Sequence, residues 1–125
     1  MSGTYVLTLR GEFSAAHQIR LYDGSMEPLH GHNWRVGAEW AAKSLDSIGI
    51  VADFVALERR LKEILAAFHN CSLNAHPDFQ VTNSTTEHVA RTIAESFAKG
   101  LAPPIRLKRV RVWETANCAA SYLPD

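Results

Sequence analysis

The chain has 125 residues, enough for one domain with a real core, and 46% hydrophobic content can fill that core. Thirteen basic residues balance thirteen acidic ones, which argues against nucleic acid as a partner, since such proteins present a basic face. No run of about 18 apolar residues occurs, so no membrane span is expected. The N-terminal MSGTYVLTLRGEF lacks the basic-then-apolar order of a secretory signal. Cys71 and Cys118 stand far apart and form no metal-type pair, so a reduced, cytoplasmic protein is the simplest expectation.

Residues 4–10 (TYVLTLR) put Tyr5, Leu7 and Leu9 on one face and read as a strand, with Gly11 allowing a bulge before FSAAH. Residues 18–29 read as a loop turning at Asp23-Gly24. Residues 33–42 (NWRVGAEWAA) alternate again, with Trp34, Val36, Ala38 and Trp40 on one side, and predict a second strand antiparallel to the first. A helix is expected from Asp53, its N-cap, to Phe68. Its inner stripe is Phe54, Leu57, Leu61, Ile64, Leu65 and Phe68, and Glu58, Arg59, Arg60, Lys62 and Glu63 form a solvated face. A second helix spans Thr85 to Lys99 with Val89, Ile93 and Phe97 inward, opened by a Ser84-x-x-Glu87 capping box. Gly100 and Pro103-Pro104 end it. Residues 105–114 (IRLKRVRVWE) form a third strand, and SYL near the end a short fourth. Strands, two helices, then strands make an α+β domain rather than an alternating parallel one. Two amphipathic helices cover one sheet face, and further subunits are one way to cover the rest.

The chemistry concentrates in EPLHGHNW. His30 and His32 are two apart at a strand start, so extended backbone sends both rings to the same face. A hairpin of the first two strands sets His17, the last residue of FSAAH, across from them. Three imidazoles with no cysteine nearby suit zinc, with a fourth position open for chemistry. The pair alone reads better as polar residues at a loop edge, and His17 as a strand cap; His17 at a matching strand end brings the two readings level. His76 and His88 read as surface residues.

FSAAH, HGHNW, STTEHVA and VRVWET, in that order over nearly the whole chain, resemble the family of 6-pyruvoyltetrahydropterin and 6-carboxytetrahydropterin synthases. ADFVALERRL is similar to the segment leading into that family's first helix. The resemblance implies the tunnelling fold, a four-stranded antiparallel sheet with two helices on one face. It also implies trimers stacked into a homohexamer with active sites at subunit interfaces. The cofactor would be zinc, held by His17, His30 and His32, and the substrate a small pterin. Glu114 would anchor the pterin ring, with Thr85 and Thr86 helping to hold it. A carboxylate can accept parallel hydrogen bonds from a ring NH and an amino group, which makes the Glu114 role physically reasonable.

The chain departs from the family pattern twice. The family's cysteine before HGH is absent from SMEPLHGH, where Glu27 instead makes E-x-x-H-G-H. This is similar to a branch whose catalytic residue is glutamate and which cleaves 7,8-dihydroneopterin triphosphate to 6-hydroxymethyl-7,8-dihydropterin, a folate precursor. The family's Asp-His after the first helix is replaced within FHNCSLN. There His69 is either a proton-transfer residue or a helix C-terminal histidine favoured by the helix dipole. The resulting expectation is a zinc-dependent lyase with Glu27 as catalytic base. The competing products are the 6-carboxy pterin of deazapurine (queuosine) synthesis and the 6-pyruvoyl pterin. A pterin-binding homologue without turnover is a further alternative.

Overall fold

The computed structural model describes residues 3–99 and 105–125. Two long strands, β1 (Tyr5–His17) and β2 (His30–Ala42), form an antiparallel hairpin in unbroken register, from Tyr5 opposite Ala42 to His17 opposite His30. After α1 (Phe54–Ala66) comes a two-residue strand, β3 (Cys71–Ser72), then two 3-10 turns and α2 (Thr86–Ala98). The hairpin of β4 (Arg106–Thr115) and β5 (Cys118–Tyr122) completes a sheet of order β3-β1-β2-β4-β5. The four long strands are antiparallel, as expected. The fifth, β3, pairs parallel with β1 and was not expected, because two residues are too short to show a period.

Alternation decides the faces. Leu9, Phe13, Ala15, Trp34, Val36, Ala38, Trp40, Val110 and Val112 turn inward and are buried. They meet Leu61, Ile64, Leu65 and Phe68 from α1 and its end, and Val89, Ile93 and Phe97 from α2. α1 lies over β1, and α2 over β4 and β5. Phe13 stacks on Trp34 with ring centroids 5.8 Å apart, and Trp40 meets Phe97 edge-on at 5.1 Å. The opposite sheet face carries Arg10, Glu12, Arg35, Glu39, Arg109 and Arg111. No helix of the described residues is long and apolar enough to cross a membrane.

Four local expectations need correction. Gly11 introduces no bulge; a side chain there would bring Cβ to 2.9 Å from Leu65 Cδ1 and 3.2 Å from Leu61 Cδ2. The irregularities fall instead at Glu39/Trp40 and Trp113/Thr115. Phe54, assigned to the inner stripe of α1, is 50% exposed: it is the first residue of the helix, whose buried residues begin at Leu61. His76 and His88 are half-buried rather than superficial. His76 tucks its ring 4.8 Å from that of Phe68, and His88 Nδ1 bonds the Asn83 carbonyl at 2.7 Å. The α2 cap is Thr85, whose hydroxyl accepts from the His88 N–H at 3.2 Å, so Ser84 and Glu87 form no capping box. Asp53 caps α1 as expected. Cys71 and Cys118 are both free. The stop signals Gly100 and Pro103-Pro104 lie outside the described residues.

Candidate metal centre and active site

The β1–β2 register builds the centre. His17 ends β1 directly opposite His30, and His32, two residues on, faces Ala15 on the same side of the sheet. Trp34 forms the floor, its ring edge-on to His17 at 4.8 Å and to His32 at 5.4 Å, with its indole N–H donated to the Ala15 carbonyl at 3.1 Å. The three imidazoles and the carboxylate of Glu114 offer ligand atoms that all lie within 4.8 Å of one another.

The hydrogen bonding of these rings fits a cation. A neutral imidazole has one donor and one acceptor nitrogen. His17 bonds the Ser84 carbonyl through Nδ1 at 2.7 Å, and His30 bonds the Pro28 carbonyl through Nδ1 at 2.9 Å. Carbonyls only accept, so both Nδ1 atoms carry protons, and in the neutral rings that a metal needs both Nε2 atoms present lone pairs. Those two Nε2 atoms face each other at 3.1 Å. Two lone pairs so placed repel unless a positive charge lies between them. His32 Nε2 is buried and has no hydrogen-bond partner. Burial, above all, holds His32 below its ordinary pKa of 6.5; Glu114 opposes that shift, while His17 and His30 add to it. A neutral ring is the form a metal needs. Nitrogens bound to one tetrahedral zinc at about 2.0–2.1 Å sit about 3.4 Å apart, so the His17–His30 spacing suits the ion, and imidazole and carboxylate donors suit zinc chemically.

Glu114 enters from β4. Its Oε1 lies 3.0 Å from His17 Nε2 and 3.6 Å from His32 Nε2. It therefore stands at the fourth corner of the cluster, a position that sequence spacing did not reveal. Only the register decides it: Arg35 pairs with Trp113, which carries the next residue to the strand end beside the histidines. Glu27, from the loop between β1 and β2, places Oε1 at 3.8 Å from His30 Nδ1 and accepts the Ile19 N–H at 3.1 Å. Thr85 and Thr86 open α2, directly after the Ser84 whose carbonyl holds His17.

His69 stands outside this cluster. It follows α1, is exposed, and accepts the Ser14 N–H on Nδ1 at 3.1 Å. Asn70, in left-handed conformation at φ 57°, donates its N–H back to the Ser14 carbonyl at 2.6 Å and so leads the chain into β3. Sequence reasoning also missed Ser84, fully buried in the role of ring orienter, and Asn74, whose amide joins Ser84 to Gln18. Neither has a signal in periodicity, since Asn74 sits in a one-turn 3-10 helix and Ser84 in a loop, and both work through hydrogen bonds to residues distant in the chain.

Residues 6–125 match the family described as PTPS, 6-pyruvoyl tetrahydropterin synthase. The chain belongs to this family. It is 31% identical over 105 residues to the dihydroneopterin monophosphate aldolase of Pyrococcus furiosus, covering 84% of this chain and 85% of that one. It is 33% identical over 118 residues, 94% of each chain, to an Archaeoglobus fulgidus protein provisionally assigned as a 6-carboxy-5,6,7,8-tetrahydropterin synthase. In fold it matches the 6-pyruvoyl tetrahydropterin synthase of Caenorhabditis elegans with a TM-score of 0.86 at 22% identity, over 99% of this chain and 98% of that one. The tunnelling-fold expectation is thereby met, with β3 as an addition to the four expected strands.

Proposed function

We propose that the protein is a zinc-dependent dihydroneopterin phosphate aldolase, releasing 6-hydroxymethyl-7,8-dihydropterin. The observation that carries this reading is the Glu27 carboxylate, 3.8 Å from Nδ1 of a cluster histidine in a loop that contains no cysteine. A base is then available where other members of the family carry a cysteine. The Pyrococcus furiosus relative supports the same reaction class and favours the monophosphate over the triphosphate as substrate. A glutamate as catalytic residue has a precedent within the fold, in the 6-pyruvoyltetrahydropterin synthase of Plasmodium vivax.

His17, His30 and His32 would hold the zinc, which when bound supplies Lewis-acid stabilisation to a side-chain hydroxyl oxygen. Glu114 would accept hydrogen bonds from the pterin ring, and Thr85 and Thr86 would help hold it. That anchoring sets the trihydroxypropyl side chain beside Glu27, and correct placement is much of such catalysis. Glu27 takes the proton from the hydroxyl on the second side-chain carbon. The bond between the first and second carbons breaks, its electron pair passes into the ring system, and a proton is returned to the first carbon. The products are the hydroxymethyl pterin and a two-carbon aldehyde that keeps the phosphate. His69 would return the proton, reaching the site from a neighbouring subunit of a homohexamer. Its exposure and the exposed Leu21, Tyr22, Met26 and Leu29 of the 18–29 loop support an interface there.

A second reading, 6-carboxytetrahydropterin synthase, is supported by the Archaeoglobus fulgidus relative and opposed by the missing cysteine. Incubating the zinc-loaded protein with dihydroneopterin monophosphate and, separately, the triphosphate, followed by chromatography, decides between them. Hydroxymethyl pterin is expected. A carboxy or pyruvoyl product supports a synthase, and unchanged substrate with measurable affinity supports a binder without turnover.

A further inference from the structure

The residues after His17 are held in an unusual way. Gln18 donates its backbone N–H to Asn74 Oδ1 at 2.9 Å, and its carbonyl accepts from Asn74 Nδ2 at 2.8 Å. Two residues on, Arg20 does the same with Asn83: its N–H donates to Oδ1 at 2.9 Å and its carbonyl accepts from Nδ2 at 3.0 Å. Each asparagine amide thus replaces one residue of a neighbouring strand on one side of 18–20, while on the other side Arg20 forms an isolated antiparallel bridge with Met26. Ile19, between the two, points its backbone the other way. Its N–H donates to Glu27 Oε1 at 3.1 Å and its carbonyl accepts the Glu27 N–H at 3.0 Å. The peptide planes on both sides of Ile19 are therefore fixed, and with them the direction of the N–H that holds the carboxylate. The clamp is also tied to the histidines. Ser84 donates its hydroxyl to Asn74 Oδ1 at 3.1 Å, and the Ser84 carbonyl accepts from His17.

We propose that Asn74 and Asn83 are positioning residues: a two-point clamp on residues 18–20 that aims the Ile19 N–H and so sets the Glu27 carboxylate beside His30. The inference rests on Glu27 being the base. A carboxylate displaced by about 1 Å can lose on the order of a hundredfold in rate without any change in binding. Asn74→Asp and Asn83→Asp keep size and the acceptor, but set an oxygen against the Gln18 or Arg20 carbonyl in place of the donor.

The test is a double-mutant cycle on the zinc-loaded, full-length protein with dihydroneopterin monophosphate. Each Asp variant alone is expected to retain zinc stoichiometry and KM while kcat falls roughly 10- to 100-fold. In a Glu27→Gln background neither is expected to lower kcat further, because both act through the same carboxylate. Hydrogen exchange of the 18–29 segment is expected to quicken in each Asp variant, a readout independent of turnover. Losses that multiply in the Glu27→Gln background, loss of zinc in step with kcat, or unchanged exchange would overturn the clamp. Full turnover by Glu27→Gln itself would overturn the base and the clamp together, and is told apart because neither asparagine has been touched. If Asn74→Asp fails to fold, Asn83→Asp carries the same cycle.

Discussion

His17 and His30 face each other across the β1–β2 ladder with their Nε2 atoms 3.1 Å apart, and each ring has already committed its other nitrogen to a carbonyl. With both rings neutral, the pair is thus set in one tautomer, with lone pairs converging. Removing either ring should cost more zinc affinity than the roughly 10- to 100-fold that loss of an outer partner brings. His30→Ala is the cleaner test, because His17 is fully buried and its loss would also leave a cavity. Metal analysis with chelator competition reads the outcome, and full occupancy in His30→Ala would remove it from the ligand set.

Glu27→Gln keeps the shape of the side chain and the hydrogen bond from Ile19, but not the basicity. Zinc content should stay intact while kcat falls roughly 10²- to 10⁴-fold, the range that general base catalysis contributes. Steady-state kinetics on metal-quantified protein checks this.

Glu114 stands 3.0 Å from His17 Nε2 and could serve the ion or the ring. With three imidazoles sufficient for zinc, the pterin role predicts that Glu114→Gln retains the metal and loses substrate. Hydrogen bonds to a charged group are worth about 1.5–3 kcal/mol, so KM should rise roughly 10- to 100-fold. Zinc loss with an unchanged KM would make Glu114 a ligand instead.

Burial of His32 has a pH signature in the metal-free protein. Its folded pKa lies below the ordinary 6.5, so just under that value the unfolded chain takes up a proton that the folded chain does not. Stability therefore falls as pH drops from 6.5 toward the folded pKa, and levels off below it. Thermal melts across that window should show the slope, and His32→Asn should flatten it. Zinc affinity should fall over the same acidification, since protons compete for the imidazoles.

Gly11 tests the packing correction. Its missing Cβ makes room for Leu61 and Leu65. Gly11→Val should destabilise by about 1–3 kcal/mol through overpacking, and Gly11→Ala by less. Denaturant unfolding measures both, and equal, negligible losses would mean that α1 adjusts freely.

Much of this protein was legible in its residue order. Helix stripes such as Leu61, Ile64 and Leu65, and the alternation of Trp34, Val36, Ala38 and Trp40, follow from periods of 3.6 and 2 that burial imposes on neighbouring residues. The same period of two sent His30 and His32 to one face. The sequence by itself thus determined which residues could form each element and which rings could act together. Only the tertiary structure decided what depends on register and on isolated hydrogen bonds. It brought Glu114 to the cluster from β4. It moved the α2 cap from Ser84 to Thr85. It set Asn74 and Asn83 on the chain that presents Glu27. The Glu114 and asparagine contacts join residues far apart in the chain, and the cap rests on one directional bond. They leave no repeat among neighbouring residues from which they could be read.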